Sequence, residues 1–263
     1  MTKLIAPSLF VLVLLFSGEL AGVHAQVRRG QSQSGKIAAS AQPATKSREI
    51  GSTVVVIDET LSVLREKPSL FAQSIQRMHR GRVVKILATA EADGVKFYKV
   101  AIPGKFGWVQ SEAVFGSFRA EDEERLARLV QASEGFDQIE IANEFFNLYP
   151  KSQFRPAILL LYGDLLEEVA VKLTKDSNNR LSRREMAASG APLHSYFLNF
   201  VSLDRYRKLG ITFLFNPATR AFHYDGASWK EIADKFPNLP ETAEAQKRLD
   251  SLKRNMEVQP ANN

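Results

Sequence analysis

Apolar and polar positions follow three different rhythms along the chain. The first is a single apolar run from Leu4 to Phe16, broken only by Pro7 and Ser8. The stretch from Gln26 to about Arg48 then has no rhythm. Gln, Ser, Ala, Gly and Lys dominate it, and Val27 and Ile37 are its large apolar residues. Such a composition buries too little apolar surface to offset the entropy of ordering, so residues 26–50 are expected to form a flexible tether.

From Ser52 the pattern turns to short β-rich runs. Thr53–Ile57 is one, and Leu61–Arg65 alternates as a half-buried strand does. Val83–Leu87 follows Gly81, Phe97–Ala101 follows the Asp93-Gly94 turn, and Phe106–Val109 follows Pro103-Gly104. Strands packed this densely over residues 51–117 predict a small closed or nearly closed β-barrel, which hides its edges economically.

From about Arg119 the period becomes helical. Glu121 to Val130 carries Leu126, Leu129 and Val130 on one side, with acids in its first turn where the helix dipole favours them. Phe136 to Leu148 repeats Ile139, Ala142, Phe145, Phe146 and Leu148, and stops at Tyr149-Pro150. Phe154 to Leu173 predicts a longer helix, with Pro156 in its first turn and Ala157, Leu160, Leu161, Leu165 and Val169 facing inward. Thr174 to Ala191 is polar and reads as a mobile loop. Ile211–Phe215 and Arg220–Tyr224, joined at Asn216-Pro217, read as an aromatic β-hairpin that packs on the helices. Trp229–Phe236 and Thr242–Leu252 form a last helical pair. The expected fold class is multidomain α+β, with the barrel followed by a mostly helical region over 118–256 and a disordered tail over 257–263.

Composition adds location. Lys3, the apolar run and the small residues Val23 and Ala25 make the three-part pattern of a cleavable secretion signal, with the cut expected before Gln26. No later stretch is long and apolar enough to span a bilayer, so the mature chain is expected to have no transmembrane segment. Cysteine is absent. For an exported protein this points to a bacterial periplasmic or secreted setting, and it removes thiolate catalysis and thiolate metal sites. The net charge of +6 is concentrated in the N-terminal half. That polarity suits anionic envelope polymers sooner than nucleic acid, although a solvated tether would carry the same charge.

The segments Leu61-x-Val63-Leu64-Arg65-x-x-Pro68-Ser69, His79-Arg80-Gly81-x-Val83, Phe97-Tyr98-Lys99-Val100 and Gly107-Trp108-Val109 occur in order. Together they resemble the bacterial SH3-like domain. Lys67 stands where that family commonly has Gly, and Phe97-Tyr98 where Trp-Tyr is typical. The resemblance implies docking of a short extended ligand, either a peptide or the stem peptide of peptidoglycan. Phe71, Tyr98 and Trp108 are the candidate aromatic contacts, with Arg65 and Arg80 as basic ones. Farther on, Phe146-x-x-Tyr149-Pro150-x-Ser152-x-Phe154-x-x-Ala157 and Ile232-x-x-x-Phe236-Pro237-x-Leu239-Pro240-x-x-Ala243 are similar to the hairpins of tetratricopeptide-like envelope proteins. There proline ends the first helix, and the alanine lets the second pack close.

Catalytic signals are sparse. His79, His194 and His223 follow the expected signal, and no two are at i, i+4 spacing, so neither a metal nor another cofactor is expected. Ser195 beside His194 lacks a nucleophile-elbow context. The leading expectation is a non-catalytic exported envelope protein that binds peptidoglycan or a protein or peptide partner. The alternative is a cell-wall glycan-modifying enzyme with carboxylates such as Glu144 or Asp164 in the helical region, which would need two of them about 5–9 Å apart across a cleft.

Overall fold

The computed structural model describes residues 49–181, 190 and 192–257. The expected secretion signal, most of the tether and nearly all of the tail lie outside those residues.

Two structural classes follow one another in the chain. A seven-stranded antiparallel sheet is built from β1 Thr53–Val56, β2 Val63–Arg65, β3 Ser74–Arg77, β4 Val83–Ala92, β5 Val95–Ile102, β6 Lys105–Gln110 and β7 Val114–Phe115, in the order β3-β2-β6-β5-β4-β1-β7. Each strand expected from the hydrophobic pattern forms, and β3 and β7 were not anticipated. β3 reads Ser-Ile-Gln-Arg and lies at an edge, where its one apolar residue, Ile75, is enough to pack on the sheet's core. That core gathers Val54, Val56, Leu64, Met78, Val84, Ile86, Tyr98, Val100, Val109 and Val114, so every strand turns one side toward the same interior.

Gly107 shows why two of these strands approach so closely. A Cβ there would lie 2.5 Å from the Leu64 Cγ and 2.9 Å from the Arg65 carbonyl oxygen. Only glycine lets β6 come this near to β2, and the approach pairs Arg65 with Trp108.

Helices follow: α1 Glu121–Ala132, α2 Gly135–Leu148, α3 Arg155–Arg180, α4 Leu193–Leu198 and α5 Asp204–Arg207. The hairpin of β8 Phe213–Asn216 and β9 Ala221–Tyr224 comes next, then α6 Ala227–Lys235 and α7 Pro240–Glu257. As expected, the hairpin packs inward. Phe215 and Phe222 are buried, and the Phe197 ring stacks on Phe215 at 4.3 Å between centroids.

Several helical expectations need correction. The stretch expected to be a loop from Thr174 is instead helical as far as Arg180. Its polar side chains are held by the hairpin: Thr174 Oγ1 accepts the Phe222 amide at 2.8 Å, and Asn178 Nδ2 donates to the Arg220 carbonyl at 3.0 Å. The buried face of α3 is also rotated from the one expected. It is Ile158, Leu159, Tyr162, Gly163, Leu166, Ala170 and Leu173, whereas Ala157 is exposed and Leu160, Leu161, Leu165 and Val169 are half-buried. Ala157 and Ala243 therefore provide no close packing. Gly163 does so instead, with a Cβ position only 2.2 Å from Trp229 Nε1.

The sheet and the helices share apolar contacts. Val55, Ile57 and Phe115 belong to the core formed by the helices and the hairpin, while their neighbours Val54, Val56 and Val114 face the core of the sheet. A polar latch lies beside this join. Asp122 is fully buried at the start of α1, where Oδ2 accepts from Arg119 Nε at 2.7 Å and from the Gly116 amide at 2.9 Å.

A candidate ligand-binding face

Strand alternation decides which residues the sheet presents outward. In β5, Tyr98, Val100 and Ile102 point into the core, so Lys99 points out. In β6, Gly107 and Val109 are buried, which turns Phe106 and Trp108 outward. Arg65 in β2 is out of phase with buried Leu64. The register then aligns these residues, because Arg65 is opposite Trp108 and Trp108 is opposite Lys99. The result is a cation–indole–cation row across three strands. On β4 the row ends at Ala88, the partner of Lys99, whose small side chain leaves that end open.

The loop between β2 and β3 runs beside this row and is fixed at two points. Arg65 Nη1 donates to the Ala72 carbonyl at 2.8 Å. At the β4–β5 turn, Asp93 Oδ2 accepts the Ser69 hydroxyl at 2.7 Å and the Leu70 amide at 2.8 Å. These donors hold the Asp93 carboxyl below its ordinary range, the Ser69 hydroxyl contributing most and the Leu70 amide next. Between the anchors, Phe71 projects into solvent with 89% of its surface exposed. Phe106, on the same side of β6 as Trp108, is 64% exposed.

Of the five residues expected to contact a ligand, three are thereby brought into one neighbourhood: Arg65, Phe71 and Trp108. The other two are corrected. Tyr98 is fully buried in the core of the sheet, and its hydroxyl donates to Glu49 Oε1 at 3.0 Å. Burial drives its pKa far above that of a free phenol, against the opposing pull of Arg119. Arg80 is a strut. Its Nε donates to the Ile57 carbonyl at 3.0 Å and its Nη1 to Glu140 Oε2 at 2.6 Å, leaving the side chain only 11% exposed. It forms part of the wall of a cleft of about 440 Å³ between the sheet and the first two helices, with Asp58, Arg77 and Asp137.

Lys99 and Phe106 were missed, although both are outward by simple alternation from Val100 and Gly107. The missing information was the register, which sequence alone does not supply. The acids named for a glycan-modifying site take up separate surroundings. Glu144 lies against Gly81, and burial raises its pKa. Asp164 pairs with Arg248 at 3.2 Å in a groove between α3 and α7. His223 Nδ1 is 2.8 Å from Glu167 Oε1, and His194 packs on Phe215. Among the described residues no three His, Asp or Glu side chains are grouped to hold a metal ion.

No family model matches the chain, and neither a curated protein nor a solved structure matches it significantly.

Proposed function

We propose that this chain is a non-catalytic, exported envelope protein whose sheet is an SH3-like barrel that binds peptidoglycan or a peptide on its outer face. The tetratricopeptide-like helical region serves as the scaffold and as a second surface for protein partners. The observation that carries this reading is Phe71, an almost wholly exposed aromatic on a loop anchored on both sides of it, next to the Arg65–Trp108–Lys99 row. An exposed phenyl ring gains nothing for the fold. A loop pinned by a guanidinium and a carboxylate loses little entropy when a ligand settles on it, and aromatic and arginine side chains dominate binding energies at such places.

Sedimentation with insoluble peptidoglycan tests the reading. Mature protein is expected in the pellet at low salt and to leave it as salt rises, since part of the attraction is between screened charges. Phe71→Ala and Trp108→Ala proteins are expected to remain largely in the supernatant. Wild-type protein that stays soluble at low salt would remove peptidoglycan as the ligand.

A further inference from the structure

Among the described residues, the cations of the outer row have no acidic partners. Neither Arg65 nor Lys99 forms an ion pair among the described residues, and neither has an interaction beyond those described. Arg65 is the more telling of the two because it is half-buried. Its Nη1 is taken by the Ala72 carbonyl, its Nε is enclosed without any hydrogen-bond partner, and its Nη2 has no acceptor. Nη2 is therefore the nitrogen of this guanidinium left open to a ligand, because Nε is sealed from solvent and Nη1 is engaged. Neither the acid that pins the loop nor the one beside Arg65 in the chain pairs with it. Asp93 holds Ser69 and Leu70, and exposed Glu66 follows Arg65.

Resting on the binding role proposed for this face, we infer that it recognises a carboxylate of an extended peptide. The carboxylate is received by Nη2 of Arg65, the guanidinium nitrogen that is neither bonded to Ala72 nor enclosed, with Lys99 on the neighbouring strand beyond Trp108. A guanidinium N–H that donates to a carboxylate pairs two opposite charges as well as making a hydrogen bond, which a bond to a sugar hydroxyl does not. The Trp108 indole between the two cations supplies the apolar floor for the residue bearing the carboxylate. The row is bordered by the small side chain of Ala88 at the β4 end and by the exposed Phe71 ring at the loop end. An anionic ligand also relieves the repulsion between two cations that face the same side of the sheet. An uncharged glycan strand would leave both cations without a counter-charge.

The protein carries its own reporter. It has two tryptophans, and Trp229 is 2% exposed in the helical core, so a ligand-dependent change in tryptophan fluorescence reports on Trp108. The probes are a stem pentapeptide, L-Ala-γ-D-Glu-L-Lys-D-Ala-D-Ala, with its carboxylates free and the same peptide with them amidated. The free form is expected to bind at least about tenfold more tightly than the amide. Lys99→Gln, which touches neither loop anchor, is expected to shrink that ratio several-fold, and Arg65→Gln to abolish it. Equal binding of the two forms would overturn carboxylate recognition while leaving the binding role of the face intact. No fluorescence change with either form would also overturn it, and sedimentation with peptidoglycan then decides whether the binding role falls too.

Discussion

Arg80 donates from Nη1 to Glu140 Oε2 at 2.6 Å, and this bond ties the turn before β4 to the second helix. The same guanidinium reaches the Ile57 carbonyl, so a residue with the look of a ligand contact is holding two parts of the protein together. Arg80→Ala removes three side-chain hydrogen bonds, to Ile57, Glu140 and Asp137, and leaves Glu140 near Glu144, itself partly buried, without its cation. Hydrogen bonds to charged groups contribute about 1.5–3 kcal/mol, so a loss of about 2 kcal/mol in unfolding free energy is expected by urea denaturation. Binding to peptidoglycan, measured well below the unfolding midpoint, should be unchanged.

Tyr98→Phe separates a core role from a binding role. The ring stays in the sheet's interior while the hydroxyl loses its bond to Glu49, which keeps its 2.6 Å contact with Lys96. A cost of about 1 kcal/mol is expected in denaturant titration. The pentapeptide affinity should match wild type.

Phe71→Ala should behave in the opposite way. An exposed ring removed from a loop changes stability by no more than about 0.5 kcal/mol. Ligand affinity is expected to fall by about tenfold, equivalent to about 1.4 kcal/mol. Thermal unfolding and a binding titration on one preparation would separate the two effects.

Acid should release the loop. The folded protein lowers the Asp93 pKa below 3.8, because the ionised carboxylate accepts the Ser69 hydroxyl and the Leu70 amide. A depressed carboxylate contributes fully above its unfolded pKa and loses that contribution as pH falls through the folded value. The Leu70 amide proton shift, followed by NMR, is therefore expected to titrate at a pH below 3.8. The titration should vanish in Asp93→Asn, a residue that also tolerates the positive φ of 54° at this turn. An inflection at or above the ordinary aspartate value would mean that the carboxylate is not the anchor.

Gly163→Ala sets two effects against each other. Alanine in a helix interior gains about 1 kcal/mol over glycine from propensity. Here the new methyl would sit 2.2 Å from Trp229 Nε1 and 2.6 Å from Ser228 Oγ, and overpacking of this kind costs about 1–3 kcal/mol or more. Packing wins, so the unfolding temperature should drop, and Trp229→Leu in the same chain should recover part of the loss.

How far the fold is legible in the sequence depends on whether an element has one neighbour or several. α1 has a single buried stripe, and of the expected Leu126, Leu129 and Val130 the first and last are buried and Leu129 is half-buried. α3 is apolar on most sides because α2, α6, α7 and β9 all pack on it, so periodicity had no unique stripe to find and the expected face came out rotated. Its last turns are polar for a reason visible only in three dimensions, since Thr174 and Asn178 bond to a hairpin more than forty residues later in the chain. The candidate face followed the same rule. The residue types at Arg65 and Trp108 pointed to it, but the pairing that places Lys99 beside them, and the burial that withdraws Tyr98, come from the register.

Strand β1 has two clients. Val54 and Val56 serve one interior, and Val55 and Ile57 the other. A small sheet with its own core is ordinarily portable, able to be cut out at its ends and spliced onto another chain. This one has been welded: excising it would strip the helices of part of their own filling and lay Val55, Ile57 and Phe115 bare to water. Any load borne at the sheet would therefore reach the helices through side chains of a strand that both cores share.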